Sequence, residues 1–404
     1  MKTSPRWAAA ATLAALVLIA LAPGPARAQQ PPQPFAPDWG RLAGWTVFAE
    51  KGCGKCHGVR GVGGGGSGAA PDLGRVGPRA SFFDVGAALW NHVPRMGARM
   101  REAGVERSRL SAVEASNLIA FLFTAQYADE SGDARRGETL FGAKGCGGCH
   151  AVGGRGGTVG PPLDAFKRAN SPVLVVAAMW NHGPKMGEAM ARTGTPRPTL
   201  DGKEMLDLIA YVVSAATPAG GDTQQVVPGT PARGRALFAD KKCATCHAVG
   251  GKGPRIGPDL GSAGHHVSLT EFAARMWNHA PAMTAKMKER KLEVPTLTGQ
   301  DMADVLAYLY TSRYFEPAPS ARRGAAVLQA KGCLGCHAVA GKGAKVGGDF
   351  ARSGAVATPG GLVAAMWNHS ALMEAQAAKR QVAWPELTGA ELGDVAAYLA
   401  SLAR

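Results

Sequence analysis

A five-residue pattern occurs four times in the chain: Cys53-Gly-Lys-Cys56-His57, Cys146-Gly-Gly-Cys149-His150, Cys243-Ala-Thr-Cys246-His247 and Cys333-Leu-Gly-Cys336-His337. Successive first cysteines lie 93, 97 and 90 residues apart, and other residues recur in step. Repetition at a fixed period marks a tandem array, so the fold is that of one unit used four times. The motifs take all eight cysteines. None is left for a structural disulfide.

Each repeat carries Gly nine residues before its first Cys (Gly44, Gly137, Gly234, Gly324) and a large apolar residue five before it (Phe48, Phe141, Phe238, Leu328). This predicts a helix leading into the motif. A turn follows at Pro71-Asp72-Leu73, Pro161-Pro162-Leu163, Pro258-Asp259-Leu260 and Gly348-Asp349-Phe350. An apolar helix ending in Trp-Asn-His comes next (Trp90 to His92, Trp180 to His182, Trp277 to His279, Trp367 to His369), with Met four residues beyond each His. The repeat closes on an amphipathic helix of period near 3.6, as in Leu208-Ile-Ala-Tyr211-Val. Thr298 and Thr388, each followed by an acid three residues on, read as helix N-caps.

No segment alternates as a strand would, so the fold class is all-α, with four domains over 36–128, 129–219, 229–316 and 317–404. Pro, Gly and polar residues collect at Asp129–Ala134, Thr217–Pro231 and Glu316–Ala321. The second linker is the longest and is expected to hinge two pairs of units at the middle of the chain.

Cys-x-x-Cys-His suits covalent haem attachment, because two thiols can add to two vinyl groups while the adjacent imidazole turns onto the iron. Zinc sites and redox dithiols also use paired cysteines, but neither accounts for a His after the second Cys in all four copies, or for the recurring Met and aromatic residues. The expected cofactor is haem c, four per chain.

Each repeat resembles a class I c-type cytochrome domain, on Gly234, Phe238, Cys243, Cys246, His247, Gly257, Pro258, Leu260, Asn278, Met283 and Tyr308 of the third and their counterparts in the others. The resemblance implies that Cys53, Cys56, Cys146, Cys149, Cys243, Cys246, Cys333 and Cys336 bind the haems. It also implies that His57, His150, His247 and His337 are proximal ligands, each held by the carbonyl of a loop residue: Pro71, Pro161 and Pro258, with Gly348 in the proline's place in the fourth repeat. Met96, Met186, Met283 and Met373 stand where the family places its sixth ligand. His92, His182, His279 and His369 are the alternative, since they occupy a position where the family has Gly. The recurring Trp residues are expected to pack on haem. The first repeat departs from the pattern by a longer Gly-rich loop, Gly61–Ala70.

Lys2 and Arg6 precede an apolar run from Ala8 to Leu21 and a small-residue site at Ala26-Arg27-Ala28, which predicts a signal peptide over 1–28 and a periplasmic destination. A Pro/Gln-rich leader, Gln29–Pro37, follows. The formal charge of +15 falls to +12 when Lys2, Arg6 and Arg27 leave. No basic run of five or more occurs, which argues against nucleic acid. Lys51, Lys55, Lys144, Lys241, Lys242, Lys252, Lys331 and Lys342 lie near the motifs and suit acidic redox partners. His265 and His266 fall outside the repeat and read as surface residues. The function implied is one-electron transfer by a carrier rather than catalysis. The alternatives are a haem enzyme reducing a small molecule such as peroxide and a fixed subunit of a membrane redox complex.

Overall fold

In a computed structural model, residues 41–64, 70–74, 81–127, 131–168, 172–217, 229–262 and 267–402 are described. The signal and leader segments, His265, His266, half of the Gly-rich loop (65–69) and the middle of the 217–231 linker lie outside them. Among the described residues, twelve α-helices fall into four trios: α1 (Arg41–Glu50), α2 (Phe82–Glu102), α3 (Ala112–Ala125); α4 (Ala134–Ala143), α5 (Pro172–Thr193), α6 (Gly202–Ala215); α7 (Pro231–Asp240), α8 (Leu269–Glu289), α9 (Gly299–Thr311); α10 (Ala321–Ala330), α11 (Pro359–Arg380), α12 (Gly389–Leu402). No described helix is long and apolar enough to cross a membrane.

Within each trio the first and last helices cross, and the recurring Gly explains how closely. A Cβ on Gly137, Gly234 or Gly324 would come within about 2 Å of the carbonyl oxygen of Asp207, Asp304 or Asp394. Those three aspartates are buried, and each accepts the backbone N–H at the start of its repeat, from Asp133, Thr230 and Ser320 at 2.7–2.8 Å. Asn117 stands at this position in the first repeat, where Gly44 meets its backbone carbonyl in the same way.

One expectation is corrected here. The long helix does not end at Trp-Asn-His. It runs on for ten to eleven residues and carries the Met, although Pro94, Pro184 and Pro281 lie within it. A proline removes one N–H and so frees the carbonyl four residues back, which is that of Trp90, Trp180 or Trp277. The fold is mostly helical, as expected, and its strands are minimal. Antiparallel hairpins of two-residue strands follow the motif at β1–β2 (Gly58–Val59, Val62–Gly63), β3–β4 (Ala151–Val152, Arg155–Gly156) and β5–β6 (Ala338–Val339, Lys342–Gly343). Strands this short cannot show alternation. The predicted caps are present: Thr298 and Thr388 each bond the acid three residues on and receive its side chain in return. Ser81, Ser111 and Asp201 form the same box.

The pairing of repeats also differs from expectation. Helix α5 packs on α8 and α9, and α6 on α8, so repeats 2 and 3 adjoin directly across the linker read as a hinge. Helix α11 packs on α3 and α2, and α12 on α2, which brings the first repeat against the last. An aromatic cluster joins repeat 1 to the end of repeat 3: Tyr127 stacks on Tyr310 at 4.3 Å, and Phe82 donates its N–H to the Tyr314 carbonyl.

Candidate haem sites

Each Cys pair sits in a one-turn 3-10 helix entered through a left-handed residue, Gly52, Gly145, Lys242 or Gly332. The His backbone N–H closes the turn on the carbonyl of the first Cys at 2.9–3.0 Å, so both thiols and the imidazole issue from one short arc. All eight thiols are free. Burial raises the pKa of the first thiol in each motif, to about 11 for Cys243, because the thiolate loses its water.

The imidazoles are oriented by the loop that follows. Nδ1 of His57, His150 and His247 meets the carbonyls of Pro71, Pro161 and Pro258 at 3.0, 2.8 and 3.0 Å. Such a bond fixes the ring and leaves Nε2 for a metal. In the fourth repeat Phe350 lies parallel to the His337 ring at 4.5 Å. Burial, and then the neighbouring His369, hold His337 below the ordinary imidazole range. Gly160, Gly257 and Gly347 lie against the imidazole edges so closely that a Cβ would stand 2.4–2.5 Å from Cε1. The loop has no room for a side chain there.

Met96, Met186, Met283 and Met373 lie on α2, α5, α8 and α11, one turn beyond His92, His182, His279 and His369. Nδ1 of His92 donates to the Ala88 carbonyl at 2.9 Å. In repeat 4 the structure brings Cys333, Cys336, His337, His369 and Met373 to the wall of one cavity of about 670 Å³. Two thiols at the rim, an oriented imidazole and a largely apolar lining in a cavity of prosthetic-group size fit a covalently attached haem. Bound there, haem supplies a one-electron iron couple.

Trp90 of the first repeat lines that cavity too, with Arg109 and Leu110. The role of the Trp-Asn pair was missed in the sequence. Every indole Nε1 donates to a loop carbonyl of another repeat: Trp90 to Pro385 (2.6 Å), Trp180 to Pro295 (2.7 Å), Trp277 to Pro198 (2.8 Å) and Trp367 to Ser108 (2.8 Å). Each neighbouring Asn side chain bonds one leucine's backbone twice, both donating and accepting at 2.7–3.0 Å. The pairs are Asn91 with Leu387, Asn181 with Leu297, Asn278 with Leu200 and Asn368 with Leu110. The recurrence of Trp-Asn was the available signal, but its partner lay in a different repeat.

The lysines near the motifs divide. Lys51, Lys144, Lys241 and Lys331 pair with Glu114, Glu204, Asp301 and Glu391 at the start of the closing helix. Lys55, Lys242, Lys252 and Lys342 are exposed.

The family model described as cytochrome c matches residues 134–216, 231–313 and 321–403. No curated protein and no solved structure matches the chain. The matched residues make up more than half of the chain and cover the three Asp-clamped trios and their Cys-x-x-Cys-His turns. The chain therefore belongs to the cytochrome c family, carrying tandem domains that bind haem c and serve haem-based electron transfer.

Proposed function

We propose that this chain is an exported tetrahaem electron carrier, in which residues 36–128 form a fourth cytochrome c domain beside those at 129–219, 229–316 and 317–404. The observation that carries the reading is the first repeat's own site. Cys53, Cys56 and His57 occupy the same left-handed-entry turn as the other motifs, and His57 Nδ1 meets the Pro71 carbonyl at 3.0 Å. The thiols of each motif hold one haem, and His57, His150, His247 and His337 bind its iron. The sixth ligand comes from the long helix: Met96, Met186 and Met283 in repeats 1–3, with thioether coordination keeping those potentials high. Exposed Lys55, Lys242, Lys252 and Lys342 steer acidic redox partners in the periplasm.

Protein mass tests the count. The purified chain should carry four haem increments that resist acid-acetone extraction, and Cys53→Ala with Cys56→Ala should remove one. A mature chain with three increments and unmodified Cys53 and Cys56 would overturn the fourth domain.

A further inference from the structure

We infer that His369, and not Met373, is the sixth ligand of the haem in repeat 4, so that this haem is held by two imidazoles; the inference rests on the reading that repeat 4 binds a covalent haem. The ring centres of His337 and His369 are 6.4 Å apart, with planes inclined at 57°. An iron bound by one nitrogen of each ring, at metal–imidazole distances of about 2 Å, holds the ring centres about 6.3 Å apart. Both planes then contain the coordination axis, so the angle between them is only a twist about that axis.

The same separation excludes the other arrangement. With a macrocycle between the rings, an imidazole this close to His337 sits over the iron itself. A Met373 sulfur on the axis would overlap it, since non-bonded atoms need about 3.5–4 Å. Met373, one turn further along the same cavity wall, then packs beside the ring.

Repeat 4 has a structural reason to differ from its counterparts. Pro94, Pro184 and Pro281 interrupt the helical hydrogen-bond ladder two residues after the corresponding His, whereas Ala371 stands at that position in α11. Prolines at this point bend a helix and re-aim the turn that follows. Helix α11 runs unbroken from His369 to Met373. Replacing thioether by imidazole lowers the potential of a c-type haem, so haem 4 is the lowest of the four.

Low-temperature electron paramagnetic resonance of the ferric full-length protein reads the ligands directly. It is combined with redox titration and a haem count by mass on wild type, His369→Ala and Met373→Leu. The expected result is a bis-imidazole low-spin signal that persists in Met373→Leu and loses one haem's intensity in His369→Ala, together with the lowest-potential step. Absence of a bis-imidazole signal from a four-haem wild type overturns the inference. So does a Met373→Leu protein whose near-infrared sulfur-to-iron band falls by one haem's share. Unmodified Cys333 and Cys336 in the wild-type mass map would instead overturn the haem reading of repeat 4.

Discussion

The 1–4 and 2–3 pairs are closed by the same backbone clamp and finished by different side chains. In both, an Asn amide bonds a leucine in two directions and an indole reaches the carbonyl two residues before that leucine. What lies on the Trp differs. In the 2–3 pair the Arg197 guanidinium sits 3.4 Å above the Trp277 ring and donates to the Trp277 carbonyl that Pro281 frees. Val294 holds the equivalent position facing repeat 2 and has no donor for the carbonyl that Pro184 frees at Trp180. In the 1–4 pair, Trp384 packs on Trp90 at 4.2 Å with the rings tilted by 32°, and its indole donates to the freed Trp90 carbonyl. Arg107 meets α11, which lacks the proline, and turns to Ser370 and to Glu374 at 3.0 Å. The clamp is thus the common element, and in two of the three helices that carry a proline the residue over the Trp also supplies a donor to the freed carbonyl.

The strongest way to break the comparison is Trp90→Ala. It removes a buried indole, its packing on Trp384 and part of the repeat 4 cavity wall, at about 3–5 kcal/mol. Calorimetry should show the loss, and redox titration should show haem 4 perturbed by a change made in repeat 1. An unchanged haem 4 would mean that the first repeat does not complete that site.

Asn278→Ala leaves the Leu200 N–H and carbonyl without their partner, a cost of about 2 kcal/mol. Asn368→Ala should cost about the same if the clamp is equivalent in the two pairs. Denaturant unfolding of the two variants measures that equivalence.

The arginines sharpen the difference. Arg107→Met breaks a charge-assisted contact to Glu374 and is expected to cost about 1–3 kcal/mol. Burial depresses the Arg197 pKa, and its Nε has no hydrogen-bond partner among the described residues. Arg197→Met should therefore stay within about 1 kcal/mol of wild type, because an apolar side chain relieves a poorly compensated charge.

The smallest effect is a pH dependence that separates repeat 1 from repeats 2 and 4. Burial alone would raise the carboxyls of Asp207 and Asp394. Hydrogen bonds from Asp133 and Lys203, and from Arg323 and Ser320, hold them below the ordinary range instead. Carboxylates with depressed pKa stabilise fully above their unfolded value of about 4 and lose that contribution as pH falls through the folded value. Repeats 2 and 4 should loosen in acid before repeat 1, where Asn117 does not titrate. Hydrogen exchange at pH 3 against pH 7 would show it, and Asp394→Asn should flatten the response in repeat 4.

Much of one repeat was legible in the sequence. Period 3.6, Gly before the motif and the Thr-x-x-acid caps are local signals, and the His-to-carbonyl bond spans only 11–14 residues. What was missed is non-local. Trp90 and Pro385 are 295 residues apart, and nothing in the period of either segment says that they meet. Trp in an apolar helix was read as packing on haem because indole is apolar, whereas its N–H serves the neighbouring repeat. The helix through Pro94 was ended too early for a related reason. The penalty of an interior proline is offset by a donor, Trp384, that lies far away in the chain.

The nested order of the clamps has a consequence for assembly. Asn181 and Leu297 are 116 residues apart, whereas Asn91 and Leu387 are 296 apart. As the chain is delivered from its N-terminus, the inner clamp can close before the outer one, because Leu297 precedes Leu387. Until Leu387 arrives, the Trp90 face of repeat 1 has no partner to cover it. Cys333 and Cys336 emerge with Trp90 already made and ready to close over them.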